Sequence, residues 1–310
     1  MKTYLLILLT TFSIIQASGQ QDIQVSNFDY LSSYYNPASI TSTSHICGNL
    51  IGRNQWSGLN GRPNTGIMNT TYNFSGIFWG NILLVNDVIG FQKSNLVKIG
   101  LAKSFLINQE TRISFGMNFN YSHINWTSNF ITPDTPVQDD YSIPNNDLTT
   151  NNFDMDAGIY ISSKNLNIGI SSTHLTEPTL LQPSFNFKHK RHYYVLCGYT
   201  LKRRIGDFEN YLLSKSDGVS TQLDFKSNFW SSTGWMVGLA YRLSDAVIPM
   251  IGYQRTFNRI TLRGIYSYDI TTSKLNIYSS GSHEICLKIC VAPMKFSERH
   301  SHPRHLGTWK

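Results

Sequence analysis

The stretch Arg112-Ile113-Ser114-Phe115-Gly116-Met117-Asn118-Phe119-Asn120-Tyr121 sets large apolar side chains and small or polar ones in strict turn. Side chains of a strand point alternately to opposite faces, so Ile113, Phe115, Met117, Phe119 and Tyr121 share one face. Arg112, Ser114, Gly116, Asn118 and Asn120 share the other. Downstream, Phe153, Met155, Ala157, Ile159 and Ile161 alternate with Asn152, Asp154, Asp156 and Gly158. Near the end, Ile285, Leu287, Ile289 and Val291 alternate with Glu284, Cys286, Lys288 and Cys290. One apolar and one polar face per strand, sustained over about 9–11 residues, fits a transmembrane β-barrel. A soluble β-sandwich gives the same alternation, so the connections have to separate the two.

The pattern divides the chain into 14 strands: 46–55, 64–74, 79–86, 97–107, 111–123, 152–162, 165–172, 191–202, 205–215, 219–228, 234–243, 247–256, 259–268 and 283–291. An even number places both ends of a barrel on one side, the periplasmic side in bacterial single-chain barrels. Connections after even-numbered strands are short, as at Asn108-Gln109-Glu110, Ser163-Lys164 and Arg203-Arg204. Those after odd-numbered strands include the longer spans 56–63, 87–96, 124–151, 173–190 and 269–282. Short turns opposite long outer loops are the barrel pattern. Two outer connections, at Ser216-Asp217-Gly218 and Ser244-Asp245-Ala246, are short and depart from it. The expected fold is all-β, a transmembrane antiparallel barrel of about 14 strands in the outer membrane.

Composition agrees. Charged residues make up 15% of the 310 and aromatics 13%, against about 25% charged in typical soluble domains. No stretch after residue 15 is apolar for the ~20 residues a membrane helix needs. The first residues read as a secretory signal peptide: Lys2, then Tyr4-Leu5-Leu6-Ile7-Leu8-Leu9, then the small residues Ala17-Ser18-Gly19. The expected organisation is a signal peptide at 1–19 and a periplasmic lead-in or plug at 20–45. The barrel follows at 46–291, and a basic, His-containing tail at 292–310. The formal net charge of +7 is too mild to argue for nucleic acid. No phosphate loop, dinucleotide fingerprint, GxSxG elbow or HExxH occurs, so no enzyme and no cofactor is expected. His283 and Glu284 are adjacent in a strand and face opposite ways, which leaves Glu284 pointing into the barrel and His283 at its rim.

Cys286 and Cys290 share a face but stand ~13 Å apart at 3.3 Å per residue, too far for a mutual disulfide. Barrel closure sets the first strand beside the last, and Cys47 faces inward with both. A seam disulfide from Cys47 to either is permitted, as are free thiols used as small wall residues. A zinc site of Cys290 with His300, His302 and His305 has irregular ligand spacing and is not favoured.

Phe28-Asp29-Tyr30-Leu31-Ser32-Ser33-Tyr34-Tyr35-Asn36-Pro37-Ala38 opens the mature chain, followed by Arg53-Asn54-Gln55-Trp56-Ser57-Gly58-Leu59-Asn60-Gly61-Arg62-Pro63-Asn64-Thr65. Asn86-Asp87-Val88-Ile89-Gly90, Asp156-Ala157-Gly158-Ile159-Tyr160, Tyr266-Ser267-Tyr268-Asp269 and Gly281-Ser282-His283-Glu284-Ile285 come later. In this order and at these distances they resemble the PorP/SprF family of type IX secretion outer-membrane proteins of Bacteroidota, over about 21–291. The resemblance implies a barrel that delivers or holds secreted adhesins through their C-terminal sorting domain. It also implies contact with periplasmic secretion components, and with outer-membrane lipid around the wall. The chain departs from the family in ending its last strand at Cys290-Val291 rather than on an aromatic residue, with a tail beyond.

The expected partner-binding rim combines the first outer loop with the segments 87–90 and 269–283. Its residues are Arg53, Gln55, Trp56, Gly58, Gly61, Arg62, Pro63, Asp87, Gly90, Asp269 and His283. Gly58 and Gly61 permit tight backbone paths, Pro63 stiffens the exit and Arg62 offers a charge. Trp56 can equally anchor at the lipid interface. Asn36-Pro37 can begin either a plug or an extended lead-in. Arg203-Arg204 is the most charged patch among the short turns, where periplasmic components would touch. The alternative function is a channel for small or hydrophobic solutes, which needs an open lumen.

Overall fold

A computed structural model describes residues 22–39, 45–127, 147–182 and 185–292. The proposed signal peptide, most of the 124–151 loop and the tail from 293 lie outside them. The strands in chain order are β1 (Ile46–Asn54), β2 (Asn64–Asn73), β3 (Phe78–Ile89), β4 (Gln92–Leu106), β5 (Arg112–Trp126), β6 (Leu148–Ser162) and β7 (Leu166–Thr173). After a small two-stranded ribbon of β8 (Thr179–Gln182) and β9 (Phe185–Lys188) come β10 (His192–Arg203), β11 (Gly206–Ser216), β12 (Thr221–Ser231) and β13 (Trp235–Arg242). The last three are β14 (Ala246–Phe257), β15 (Ile260–Thr271) and β16 (Ser282–Val291).

All but β8 and β9 form one closed antiparallel barrel of 14 strands, each paired to the next and β1 to β16. Closure removes the unpaired edges that an open sheet would expose to lipid. Along β5, Ser114, Asn118 and Asn120 are buried inward while Phe115, Met117, Phe119 and Tyr121 are exposed outward. Leu50, Met68, Ile82, Ile99, Leu101, Ile170, Val237, Leu239, Ile251 and Leu287 continue the exposed apolar surface on other strands. Large apolar groups outside suit a wall with lipid around it, while the inner face mixes polar groups with buried apolar ones such as Ile51, Leu83, Leu213 and Met236.

Two of the expected outer-loop bounds need correction. The outer loop expected at 87–96 is wall: β3 continues to Ile89 and β4 begins at Gln92, joined by Gly90-Phe91. β5 and β6 likewise run on to Trp126 and back from Leu148. Toward the loop end polar residues such as Asn86, Asn95 and Asn125 stand among apolar ones on the outer face, so hydrophobic alternation stops while the ladder continues. Cross-strand polar pairs sustain it, with Asn86 Nδ2 donating to Asn95 Oδ1 (2.8 Å) and Asn125 Nδ2 to Thr149 Oγ1 (3.2 Å).

At the opposite end, Cys47 and Cys290 are register partners on β1 and β16 and form a disulfide, with Cα atoms 4.1 Å apart. It bolts the seam where barrel closure joins the two ends of the sheet. Cys290 is thereby removed from any zinc site with the tail. Cys197 and Cys286 are free thiols.

Candidate functional site

Residues 22–39 run inside the barrel. Val25, Phe28, Tyr30, Leu31, Tyr34, Tyr35 and Ala38 are all buried there, and the chain makes a 3-10 turn at Phe28–Leu31 and one helical turn, α1, at Ser32–Tyr35. The segment enters beside the long connections at Asp22 and descends toward the short turns, where β1 starts. We call it the plug, and the two barrel ends the loop end and the turn end.

Near the loop end the plug is held by charge. Glu284 on β16 accepts the backbone N–H groups of Ser26 and Asn27 (2.8 Å each) and the Asn27 side-chain amide (2.8 Å). Arg53 on β1 bridges Glu284 (3.1 Å) and Asp269 on β15 (2.7 Å), and Ser26 Oγ donates to Asp269 (2.7 Å). Arg242 on β13 reaches the same Asp269 carboxylate (3.0 Å) and Asp224 on β12 (3.3 Å). Lys226 on β12 pairs with Asp29 (2.6 Å) and donates to Asn27 Oδ1 (2.9 Å). All these wall groups are buried. A buried charge is tolerable only when paired and hydrogen-bonded, and here the plug supplies part of that satisfaction.

Nearer the turn end, contact is by shape and backbone. Asn36 Nδ2 donates to the carbonyls of Ile159 (3.0 Å) and Ile170 (3.3 Å), and its Oδ1 accepts the Ala38 N–H (2.9 Å). Ser171 Oγ donates to the Tyr35 carbonyl (2.6 Å). Gly116 and Gly158 provide the recess. A Cβ at Gly116 would lie 2.5 Å from Pro37 and Ala38 backbone atoms, and one at Gly158 2.2 Å from Asn36 Oδ1. Between the two levels, Lys98 on β4 pairs with Asp156 on β6 (2.9 Å) and lies over the Tyr34 ring at 4.2 Å.

A cluster at the loop end joins the plug's head to the connection after β7. His174 lies between Asp22 (3.2 Å) and Asp154 (2.5 Å). Burial works against its charged form, but the two carboxylates outweigh it and raise its pKa to about 10. His189 stacks on it and is pushed down to about 4 by burial and by the His174 charge.

The rim residues divide. The first loop, the Gly90-Phe91 turn and 272–281 do adjoin: Gly90 N–H donates to the Gly61 carbonyl (2.9 Å), Ser57 N–H to that of Gly281 (2.7 Å) and Ser280 N–H to that of Ser57 (2.7 Å). Gln55 N–H closes the loop on the Pro63 carbonyl (3.0 Å). Gly58 and Gly61 have φ of 97° and 73°, the left-handed region that favours glycine. Arg62 is exposed, with Nε on Asn54 Oδ1 (3.0 Å). His283 faces outward, its Nδ1 2.7 Å from the Tyr266 hydroxyl. Trp56 lines a loop-end bowl of about 480 Å³ with Asp22, Gln24, His192, Lys215 and Leu275, so its ring borders the lumen mouth. Arg53, Asp87 and Asp269 instead face the lumen. The first and last belong to the plug's charge network, and Asp87 accepts from Thr65 Oγ1 (2.6 Å).

Sequence reading passed over Lys98, Arg242 and Lys226, and placed Asp156 on an inward face without giving it a role. Their signal was present, since each is a charge at an inward position between lipid-facing neighbours. Nothing local links Asp22 to His174 and His192.

A family model described as "Type IX secretion system membrane protein PorP/SprF" matches residues 17–289. The chain belongs to the PorP/SprF family. This PorP/SprF protein is therefore a type IX secretion barrel of the outer membrane, with the fold of a secretion or transport membrane protein. No curated protein matches it. Among solved structures, the Ralstonia pickettii toluene transporter TbuX is similar at 7% identity and a TM-score of 0.51, over 85% of this chain and 93% of that one. A Pseudomonas aeruginosa FadL homologue is similar at 10% identity and 0.48, over 83% and 92%. At such identities the likeness concerns the fold alone.

Proposed function

We propose that this barrel acts without bond chemistry, as an outer-membrane dock whose loop end receives a secreted adhesin-type protein through its C-terminal sorting domain. The observation that carries this reading is the lumen. The chain's own N-terminal segment occupies the lumen at the level of the buried charges and supplies partners to them, with a cavity of about 340 Å³ left beside Tyr30, Tyr211 and Arg263, so this part of the route through the wall is taken by an internal ligand. Among the described residues a partner can meet the rim, where the first loop, the Gly90-Phe91 turn and 272–281 are hydrogen-bonded to one another and Trp56 and Leu275 line the bowl beside them. Gly58, Gly61 and Pro63 shape it, and Arg62 and His283 offer polar contacts at its edge. Arg53 and Asp269 act on that rim from below, by holding the plug. Periplasmic secretion components would meet the turn end at Arg203-Arg204.

The test is site-specific photo-crosslinking in a native host, with the reactive group at position 58 or 62, followed by mass spectrometry. A large secreted protein linked through its C-terminal domain is the expected product. Failure of every rim position to crosslink, together with solute uptake by liposomes carrying the pure barrel, would favour the channel instead.

A further inference from the structure

The bowl at the loop end holds an arrangement that docking does not require. Asp22 at the plug's head, His174 just past β7 and His192 at the start of β10 each bring one potential ligand atom within 4.8 Å of the other two. Each is also oriented from behind. His174 Nδ1 is held by Asp154 Oδ2 (2.5 Å), which leaves Nε2 facing Asp22 Oδ1 (3.2 Å). His192 Nδ1 lies 3.0 Å from the Lys190 carbonyl oxygen. A carbonyl only accepts, so Nδ1 carries the proton and Nε2 is the acceptor. The second oxygen of Asp22 takes the Tyr194 hydroxyl.

This is how metal sites are supported: each ligating imidazole gives its other N–H to a carboxylate or carbonyl, and the ligating carboxylate is itself hydrogen-bonded. Two imidazoles and one carboxylate suit a borderline ion such as zinc, whereas calcium and magnesium favour all-oxygen sets. Tetrahedral zinc with bonds of about 2.0–2.1 Å places its donors roughly 3.4 Å apart. His174 and Asp22 already stand near that separation, and the widest pair must close by at most about 1.4 Å. Asp22 and His192 line the bowl, so a fourth position opens toward it.

We infer that Asp22, His174 and His192 form a zinc site that fastens the head of the plug to the connection between β7 and β10. One ligand comes from the plug, one from the connection after β7 and one from the first residue of β10, so the ion cross-links the plug to elements with which it shares no strand ladder. Release of the plug's head is then coupled to loss of the metal.

The test uses the full chain, extracted in detergent without an added histidine tag and stripped with chelator. It carries His300→Ala, His302→Ala and His305→Ala so that the tail histidines do not contribute. Titration with zinc chloride is expected to saturate at one equivalent. Asp22→Asn and His192→Ala should each weaken binding at least about tenfold, while His123→Ala leaves it unchanged. Heat-modifiable gel migration reports that each variant is folded, and Asp22 lies outside the wall, so its substitution leaves the barrel to close. Cobalt(II) should give the visible spectrum of a tetrahedral ion, lost in His192→Ala. Zinc should slow amide exchange over residues 22–27, and chelation should reverse this. Absence of saturable binding would overturn the site, and His174 would then serve as a cation clamped between Asp22 and Asp154. Binding equal in wild type and both ligand variants would overturn it as well. Binding without slower exchange would overturn the fastening role.

Discussion

Around Ser26–Asp29 the plug meets the wall through charge, and around Asn36–Ala38 it meets the wall through shape and backbone. The first attachment draws on Arg53, Asp269, Glu284, Arg242 and Lys226 from five strands. The second rests on Asn36, Ser171 and the recess over Gly116 and Gly158. Charges are long-ranged and fail together when one member is lost, because the remainder stay buried without a partner. A steric recess fails locally, and only where an atom is added.

The comparison breaks most sharply at Glu284. Glu284→Ala leaves the Ser26 and Asn27 amides without their acceptor and takes from Arg53 one of its two carboxylates, Asp269 remaining, and should loosen the plug's upper half by about 3–5 kcal/mol. Hydrogen exchange over residues 22–29 reads this, and Glu284→Gln, which keeps an accepting oxygen, should show a smaller change. Gly116→Ala puts a Cβ 2.5 Å from the Pro37 and Ala38 backbone. An overpacking cost of about 1–3 kcal/mol follows, with faster exchange at 33–38 and little change at 22–29. Equal acceleration of both halves by either variant would mean that the plug moves as one body and that the two attachments are not separable. Asn36→Ala removes donors to two wall carbonyls, and about 1–2 kcal/mol is expected, again confined to the lower half. Smallest in stability is Arg62→Ala. It should leave the urea midpoint in detergent unmoved while lowering crosslinking yield at the rim, and a shifted midpoint would give Arg62 a structural role instead.

The wall was legible almost residue by residue. Alternation from Ile113 to Tyr121 assigned inside and outside correctly, and the inward direction of Glu284 followed from period two alone. The reading faltered at the ends of β3 and β4 and of β5 and β6 nearest the loops, where Asn86, Asn95 and Asn125 interrupt the apolar outer face, because the signal was hydrophobic contrast. The rim was legible as a neighbourhood and not as a uniform surface. Gly61 and Gly90 do meet, yet Arg53, Asp87 and Asp269 point down into the lumen, where strand parity sends them.

The sequence alone determined that this protein is all-β with a lipid-suited and a polar face on its strands, since side-chain direction along a strand is a local property with a period of two. Its family was legible as well, from motifs in fixed order along the chain. Tertiary structure decided what fills the wall. Ser26 finds Glu284 across 258 positions, Asp22 finds His174 across 152, and Cys47 takes Cys290 rather than Cys286. Those pairings come from closure and register, which bring distant residues to one height in the lumen, and no local periodicity encodes which inward charge will stand beside which.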